Sequence, residues 1–294
     1  MIITVTMNPA IDKTIEQNVI LDAGGKGINV SKTIKALGGD SIAVGFLGSE
    51  NKTEFLSLLE EFDIKTDFLE VKGKTRVNTK VVETNGNVTE NNEVGPYVCE
   101  EIIEQLKDRL LQYANKETLF VLSGSVPLGV PKTIYMELIE ILHKKEAKVF
   151  LDADGKLFSY GLCAKPDIIK PNREELARYC GVSKDMSEDE IIAAGEQFLD
   201  SGIGTVIISL GSDGAYFFTK EKRLKLPGIS VEAQSTVGAG DAMVAAFCYG
   251  MEQKLSFEDC AKLAVATSAG AVETAGTRPP KKERVEELYK RIIS

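Results

Sequence analysis

Six short runs of apolar, mostly β-branched residues recur along the chain: IITVT (2–6), SIAVGF (41–46), LFVL (119–122), KVFL (148–151), DIIK (167–170) and TVIIS (205–209). Strands that are apolar almost throughout suit a sheet covered on both faces. The covers lie between them. In CEEIIEQLKDRLLQYA, Ile102, Ile103, Leu106 and Leu110 fall on one helical face, and SEDEIIAAGEQFL opens with Ser187 and Glu190 spaced as a capping box. Strand–helix alternation predicts an α/β fold with a mostly parallel central sheet. A length of 294 residues suits one large α/β domain, or one such domain with a small appendage.

One segment breaks the alternation. Residues 75–94, TRVNTKVVETNGNVTENNEV, read as extended runs around Asn85-Gly86, a favoured tight hairpin turn. This predicts a small antiparallel sheet beside the main one, either a surface hairpin or a lid over a cleft. Composition then removes several function classes. A net charge of −9 argues against nucleic acid as a partner. No apolar run reaches the ~18 residues that span a bilayer. The first residues, MIITVTMNPAID, lack a basic leader and a cleavage signal, so a cytoplasmic protein with no membrane association is expected. Five cysteines without a CxxC pair read as free thiols, mostly in the core. The one histidine, His143, falls at the end of a helical pattern, where a cation suits the dipole. Acid–base chemistry therefore falls to carboxylates.

Two glycine clusters carry the chemistry. STVGAGDAM (235–243) places backbone free of side chains just before one acidic residue, Asp241, where a phosphate loop would carry lysine. LDAGGKGINVSKTIKALGG runs from glycines into a helix striped by Val30, Ile34 and Leu37. Helix N-termini bind anions and hydroxyls, and glycine lets a ligand approach the backbone. As a Walker A motif the first cluster fails, because Lys26 is followed by Gly27.

Taken in order, TMNPAID, AGGKGINVSK, TRVN, SGSVP, IKPNREE, SLGSDGA and STVGAGD resemble the PfkB, or ribokinase-like, family of sugar kinases. They are most similar to its branch of 1-phosphofructokinases and tagatose-6-phosphate kinases, over Thr6 to about Pro280. The resemblance implies a three-layer α/β/α fold as a single domain over 1–294, with a β lid from about 10–22 and 68–95. It implies transfer of phosphate from ATP, with Mg2+, to a ketohexose monophosphate. Fructose 1-phosphate giving fructose 1,6-bisphosphate is the first expectation, and tagatose 6-phosphate giving tagatose 1,6-bisphosphate the second. A homodimer through the lid is also expected.

By the same resemblance Asp241 is the general base that takes the proton of the attacking hydroxyl. Gly238, Ala239 and Gly240 form an anion hole for the transferring phosphoryl group. This suits a reaction that is mostly positioning and charge stabilisation; the plain alternative for Asp241 is a helix cap. Asp12, Gly25 and Asn29 hold sugar hydroxyls, and Arg76 and Ser125 contact the phosphorylated sugar, Arg76 through its phosphate. Asn172 and Glu175 match an N-x-x-E motif that organises magnesium, although an acid in a helix's first turn needs no metal. Lys170, Ser209, Gly211, Ser235 and Thr236 fall at nucleotide contacts. Lys26 either pairs with a phosphate or points to solvent. Eleven residues, Lys13 to Ala23, separate Asp12 from Gly24, fewer than this branch carries. Relatives use the longer stretch for lid strands and a basic residue near the substrate phosphate; either the lid is trimmed here or part of that stretch is absent from this sequence.

Overall fold

The structure is a computed structural model, and it describes residues 1–16, 18–82 and 88–293. Strands β1 (Ile2–Thr6), β2 (Ala10–Ile15) and β3 (Val19–Gly24) lead into helix α1 (Lys26–Ala36). Then come β4 (Ser41–Gly48), α2 (Lys52–Glu60), β5 (Lys65–Val71), β6 (Arg76–Val82), β7 (Val88–Asn92) and α3 (Glu100–Tyr113). The middle of the chain holds β8 (Leu119–Ser123), α4 (Ile134–His143), β9 (Lys148–Asp152), α5 (Gly155–Cys163), β10 (Ile168–Ile169), α6 (Arg173–Cys180) and α7 (Glu188–Asp200). It closes with β11 (Thr205–Ser209), β12 (Ala215–Phe218), β13 (Arg223–Leu226), α8 (Ala239–Glu252), α9 (Phe257–Val272) and α10 (Lys282–Ile293).

All six apolar runs lie in one nine-stranded sheet, ordered β13-β12-β11-β10-β9-β8-β1-β4-β5. It is parallel from β11 to β5, and only the pairings of β12 with β11 and with β13 are antiparallel. Strand alternation divides the core in two. Ile3, Val5, Phe120 and Leu122 face one cluster, under α3 to α7, while Ile2, Val121, Phe150 and Ile207 face the other, under α1, α8, α9 and α10. Both faces are covered, which is why these strands lack a polar face. The α1 stripe of Val30, Ile34 and Leu37 is buried on the second face, and the Ser187–Glu190 capping box forms at the start of α7.

A four-stranded sheet, ordered β3-β2-β6-β7, stands beside the main one. Its hairpins β2–β3 and β6–β7 are antiparallel, and they join through a parallel pairing of β2 with β6. The stretch 13–23 thus closes as a short hairpin. The expected lid boundary at residue 68 is corrected: residues 68–71 belong to β5 of the main sheet, because Leu69 and Val71 pack into its core. The lid strands begin at Arg76. The turn assigned to Asn85-Gly86 lies outside the described residues. A third apolar cluster, with Ile11, Ala23, Ile28, Phe55 and Leu59, seats the small sheet on α1 and α2.

Two smaller expectations also meet the structure. Cys248 and Cys260 are buried, but Cys99, Cys163 and Cys180 are exposed, so most of the cysteines are not core residues; the last two end helices α5 and α6 at the surface. His143 ends α4 and pairs through Nε2 with Asp167 at 3.0 Å. Among the described residues no helix is long and apolar enough to cross a membrane.

Candidate active site

Ligands of open α/β sheets gather beyond the carboxyl ends of the parallel strands. Here β1, β8, β9, β10 and β11 all end beneath one cleft of about 1490 Å³, and the small sheet forms its far wall. Every site residue singled out from the sequence lines this cleft.

The floor is built around Asp241. Helix α8 starts from Gly238 in the left-handed conformation (φ 84°), with no side chain capping its N-terminus. Asp241 therefore does not serve as the cap. It sits in the first turn, 7% exposed, and its Oδ2 accepts a hydrogen bond from Asn29 Nδ2 at 2.8 Å. Burial, with a smaller push from Asp152, raises its pKa to about 6, against the pull of Lys26, Lys170 and the Asn29 hydrogen bond. A carboxylate poised there is ionised at neutral pH yet a stronger base than an exposed aspartate.

Next to it stands a buried charge cluster. Asp152, at the end of β9, is fully buried between Lys26 Nζ at 3.3 Å and Lys170 Nζ at 3.4 Å. Burial alone would raise its pKa, but Lys170 and Lys26 outweigh this and hold it below the usual value. Lys26 lines the cleft with its side chain 35% exposed, and its Nζ also lies 4.0 Å from Glu175 Oε1. Burial, the largest single influence on Lys26, disfavours its charge, yet Asp152, Asp241 and Glu175 together raise its pKa. It stays cationic.

Asn172 and Glu175 form a reciprocal capping box on α6: Glu175 N–H donates to Asn172 Oδ1 and Asn172 N–H donates to Glu175 Oε2. That consumes the Asn172 oxygen and leaves Glu175 Oε1 facing Lys26. Asp152 Oδ2 is buried without a hydrogen-bond partner. Of the two acids, only Glu175 lines the cleft, so Glu175 Oε1 is the carboxylate oxygen offered to a ligand there, with Asp152 Oδ2 enclosed beneath it. Among the described residues no three His, Cys, Asp or Glu side chains converge into a closed metal cage. A hard cation held by one or two carboxylates plus ligand phosphates fits this donor set. Beyond it, Ser209, Gly211 (φ 63°), Ser235, Thr236 and Thr277 line the open end.

The wall is set by strand register. Asp12, Asn78 and Asp22 are lateral neighbours across β2, β6 and β3. Asn78 Nδ2 donates to Asp12 Oδ1 at 2.9 Å. Asp12 leans over Gly24, where a Cβ would lie 1.9 Å from Asp12 Oδ2, so only glycine leaves it room. Burial, then the nearby Asp22, raises the Asp12 pKa, while Asn78, Lys32 and Arg76 oppose this. Arg76 donates to the Asn8 carbonyl at 3.1 Å, and Asn8 Nδ2 donates to Ser125 Oγ at 3.2 Å. Arg76 Nε and Asn8 Oδ1 are buried without partners. Behind them, the buried Tyr135 hydroxyl donates to the Ser123 and Gly124 carbonyls and fixes the turn that carries Ser125.

Three residues of the site escaped sequence reasoning. Asp152 had a signal, an acid closing the apolar strand KVFLD. Asn78 had another, sitting two residues after Arg76 and so on the same strand face. Asn8 stands within TMNPAID but offers nothing until β1 brings it to Ser125.

A phosphate-length cleft with a buried carboxylate at a glycine-led helix N-terminus defines a sugar-kinase scaffold. The chain belongs to the pfkB family of carbohydrate kinases, whose model matches residues 1–284. It is 34% identical to a 1-phosphofructokinase of Vibrio cholerae, over 99% of this chain and 95% of that protein. It is also 34% identical to a D-tagatose-1-phosphate kinase of Bacillus licheniformis, over 92% of each. Among solved structures, phosphofructokinase-2 of Escherichia coli in complex with potassium superposes with a TM-score of 0.93 at 27% identity, covering 100% of this chain and 99% of that one.

Proposed function

We propose that this chain is an ATP-dependent kinase of a ketohexose monophosphate, acting as a single domain, with fructose 1-phosphate to fructose 1,6-bisphosphate as its reaction. The observation that carries this reading is Asp241, buried at the N-terminus of α8 and hydrogen-bonded to Asn29, in one cleft with the Arg76–Asn8–Ser125 cluster. Asp241 takes the proton from the sugar hydroxyl as that oxygen attacks. The backbone N–H groups that follow Gly238 face the charge on the transferring phosphoryl group, at the positive end of the helix dipole. Lys26, kept cationic by three carboxylates, adds a positive charge close to Asp241. Asp12, Gly25 and Asn29 hold the sugar hydroxyls, and Arg76 with Ser125 binds the phosphate the substrate brings. Ser209, Gly211, Ser235 and Thr236 receive the nucleotide, with Lys170 beneath.

Mg2+ would be held by Glu175 Oε1 together with nucleotide phosphates and waters, with Asn172 fixing Glu175 through the capping box. When bound it neutralises nucleotide phosphate charge. The relatives whose names include both 1-phosphofructokinase and D-tagatose-1-phosphate kinase support a second acceptor, tagatose 1-phosphate, in place of the 6-phosphate expected from the sequence. A second copy of the chain packs against the lid edge at β3, where Val19 is 58% and Leu21 37% exposed.

The test is a coupled assay of ADP release over ketohexose 1- and 6-phosphates and free fructose. The expected result is the highest kcat/KM with fructose 1-phosphate. No turnover of any sugar phosphate would overturn the reading.

A further inference from the structure

Behind the lid wall lies a charged pair that the reaction as described does not use. Lys32 of α1 is fully buried, and its Nζ donates to Asp22 Oδ1 at 2.6 Å and to the Ala23 carbonyl at 2.5 Å, while facing the Phe62 ring at 4.7 Å. Asp22 is the cross-strand partner of Asp12 in the β2–β3 hairpin, so the two side chains emerge on one face, about 5 Å apart at Cβ. That face lines the cleft. Asp22 is 13% exposed, and its second oxygen takes no hydrogen bond from any described residue.

We propose that Asp22 is a second carboxylate that accepts a hydroxyl of the sugar, with buried Lys32 as the residue that positions it; this rests on the kinase reading above. Three observations favour it over a pair that serves only the fold. A buried ion pair is weak as a device for stability, because desolvation consumes most of its attraction. Burial here lowers the Lys32 pKa even with Asp22 alongside, which is the mark of such a cost. Second, Lys32 engages one Asp22 oxygen and leaves the other without a hydrogen bond, on a residue that lines the cleft beside Asp12. Third, two like charges side by side on adjacent strands disfavour each other, and a sugar with adjacent hydroxyls supplies donors to both at once.

The deciding variant is Asp22→Asn, which keeps an oxygen for Lys32 but loses the charge and half of the acceptor capacity. Relative to wild type, KM for the sugar phosphate should rise about tenfold or more, with kcat and KM for ATP within about threefold. Lys32→Gln should move the same KM in the same direction, whereas a purely structural pair would lower the melting temperature and leave KM in place. A set of monodeoxy sugar phosphates adds a readout independent of folding: one missing hydroxyl should weaken the substrate for wild type and not for Asp22→Asn. Unchanged sugar KM in Asp22→Asn, or the same deoxy penalty in both proteins, overturns this inference alone. Absence of sugar-phosphate turnover by the wild type overturns the kinase reading, and this inference with it.

Discussion

The floor and the lid of the cleft hold charge in opposite ways. On the floor, Asp152, Lys170, Asp241 and Lys26 crowd at the ends of parallel strands, and each charge is answered by another. Asp152 and Lys170 end strands β9 and β10, which are buried on both faces, while Lys26 and Asp241 open helices α1 and α8 packed on the same sheet. On the lid, Asp12 and Arg76 stand on a four-stranded sheet seated by one small cluster and tied down near Thr75 by Asn51. Its outer strand is open to solvent at Val19 and Ile20. The floor spends core packing to fix a few groups rigidly, as charge stabilisation in the transition state requires. The lid needs only to recognise a sugar and let it go.

The sharpest way to break this division is to change the floor. Asp241→Asn should leave the fold intact and lower kcat by roughly 10²-fold or more, the loss expected of a general base. In the wild type, kcat/KM should fall about tenfold per pH unit below about 6, the value to which burial lifts Asp241. Steady-state rates from pH 5 to 8 check both. A variant that turns over like wild type would move the base elsewhere.

The matching change on the lid is Arg76→Ala. A guanidinium bonds a phosphate through two donors, and a hydrogen bond to a charged group contributes roughly 1.5–3 kcal/mol. The sugar-phosphate KM should rise about 10- to 150-fold while KM for ATP barely moves. Activity on free fructose should not fall in parallel. Equal losses with both sugars would mean that Arg76 shapes the Asn8 loop and does not read the phosphate.

The same contrast explains what could be read from sequence. Floor residues lie in contiguous motifs, GAGD and N-x-x-E, because a helix N-terminus brings sequence neighbours to one ligand; Asp241 and Glu175 were legible for that reason. The central sheet was legible because burial on both faces writes an apolar run. The lid was legible only as alternation. Its start was misplaced because β5 is the edge strand of the main sheet, exposed at Lys65 and Thr66, and only Leu69 and Val71 tie it to that sheet's core. Asp22 and Lys32 were missed because their meaning comes from strand register and from a helix packed behind it, and neither has a local signature. Asp152 was missed because its two lysines are 126 and 18 residues away in sequence.

A smaller effect tests how far the floor sacrifices stability for function. The folded-state pKa of Asp241, about 6, lies above its ordinary 3.8. Its protonated form is therefore favoured by folding, and that stability is present below about pH 4 and lost as pH rises through about 6. At pH 8 the ionised group costs on the order of 3 kcal/mol. Asp241→Asn should melt several degrees above wild type at pH 8, with the gap shrinking toward pH 4.5. A gap independent of pH would detach the stability change from this carboxylate.

The smallest effect concerns motion in the lid. Segments with few buried apolar contacts open by local fluctuation at less than the global free energy. Amides of β2, β3 and β6 should therefore exchange faster than those of β8 and β9 in the free protein, because the small sheet is secured by the small Ile11–Ala23–Phe55 cluster and a few polar ties, not by burial on both faces. A ligand that binds the closed form stabilises it by mass action, by up to about 2.7 kcal/mol at a concentration of 100 Kd. Since the lid supplies only part of the contacts, roughly tenfold slower exchange is expected in β2 and β6 with saturating fructose 1-phosphate, and almost none in β8 and β9. ATP alone should leave the lid strands nearly as they were, because none of the proposed nucleotide contacts, Lys170, Ser209, Gly211, Ser235 and Thr236, lies on them. Equal protection of lid and floor without ligand, unchanged when sugar phosphate is added, would erase the distinction between a fixed floor and a yielding lid.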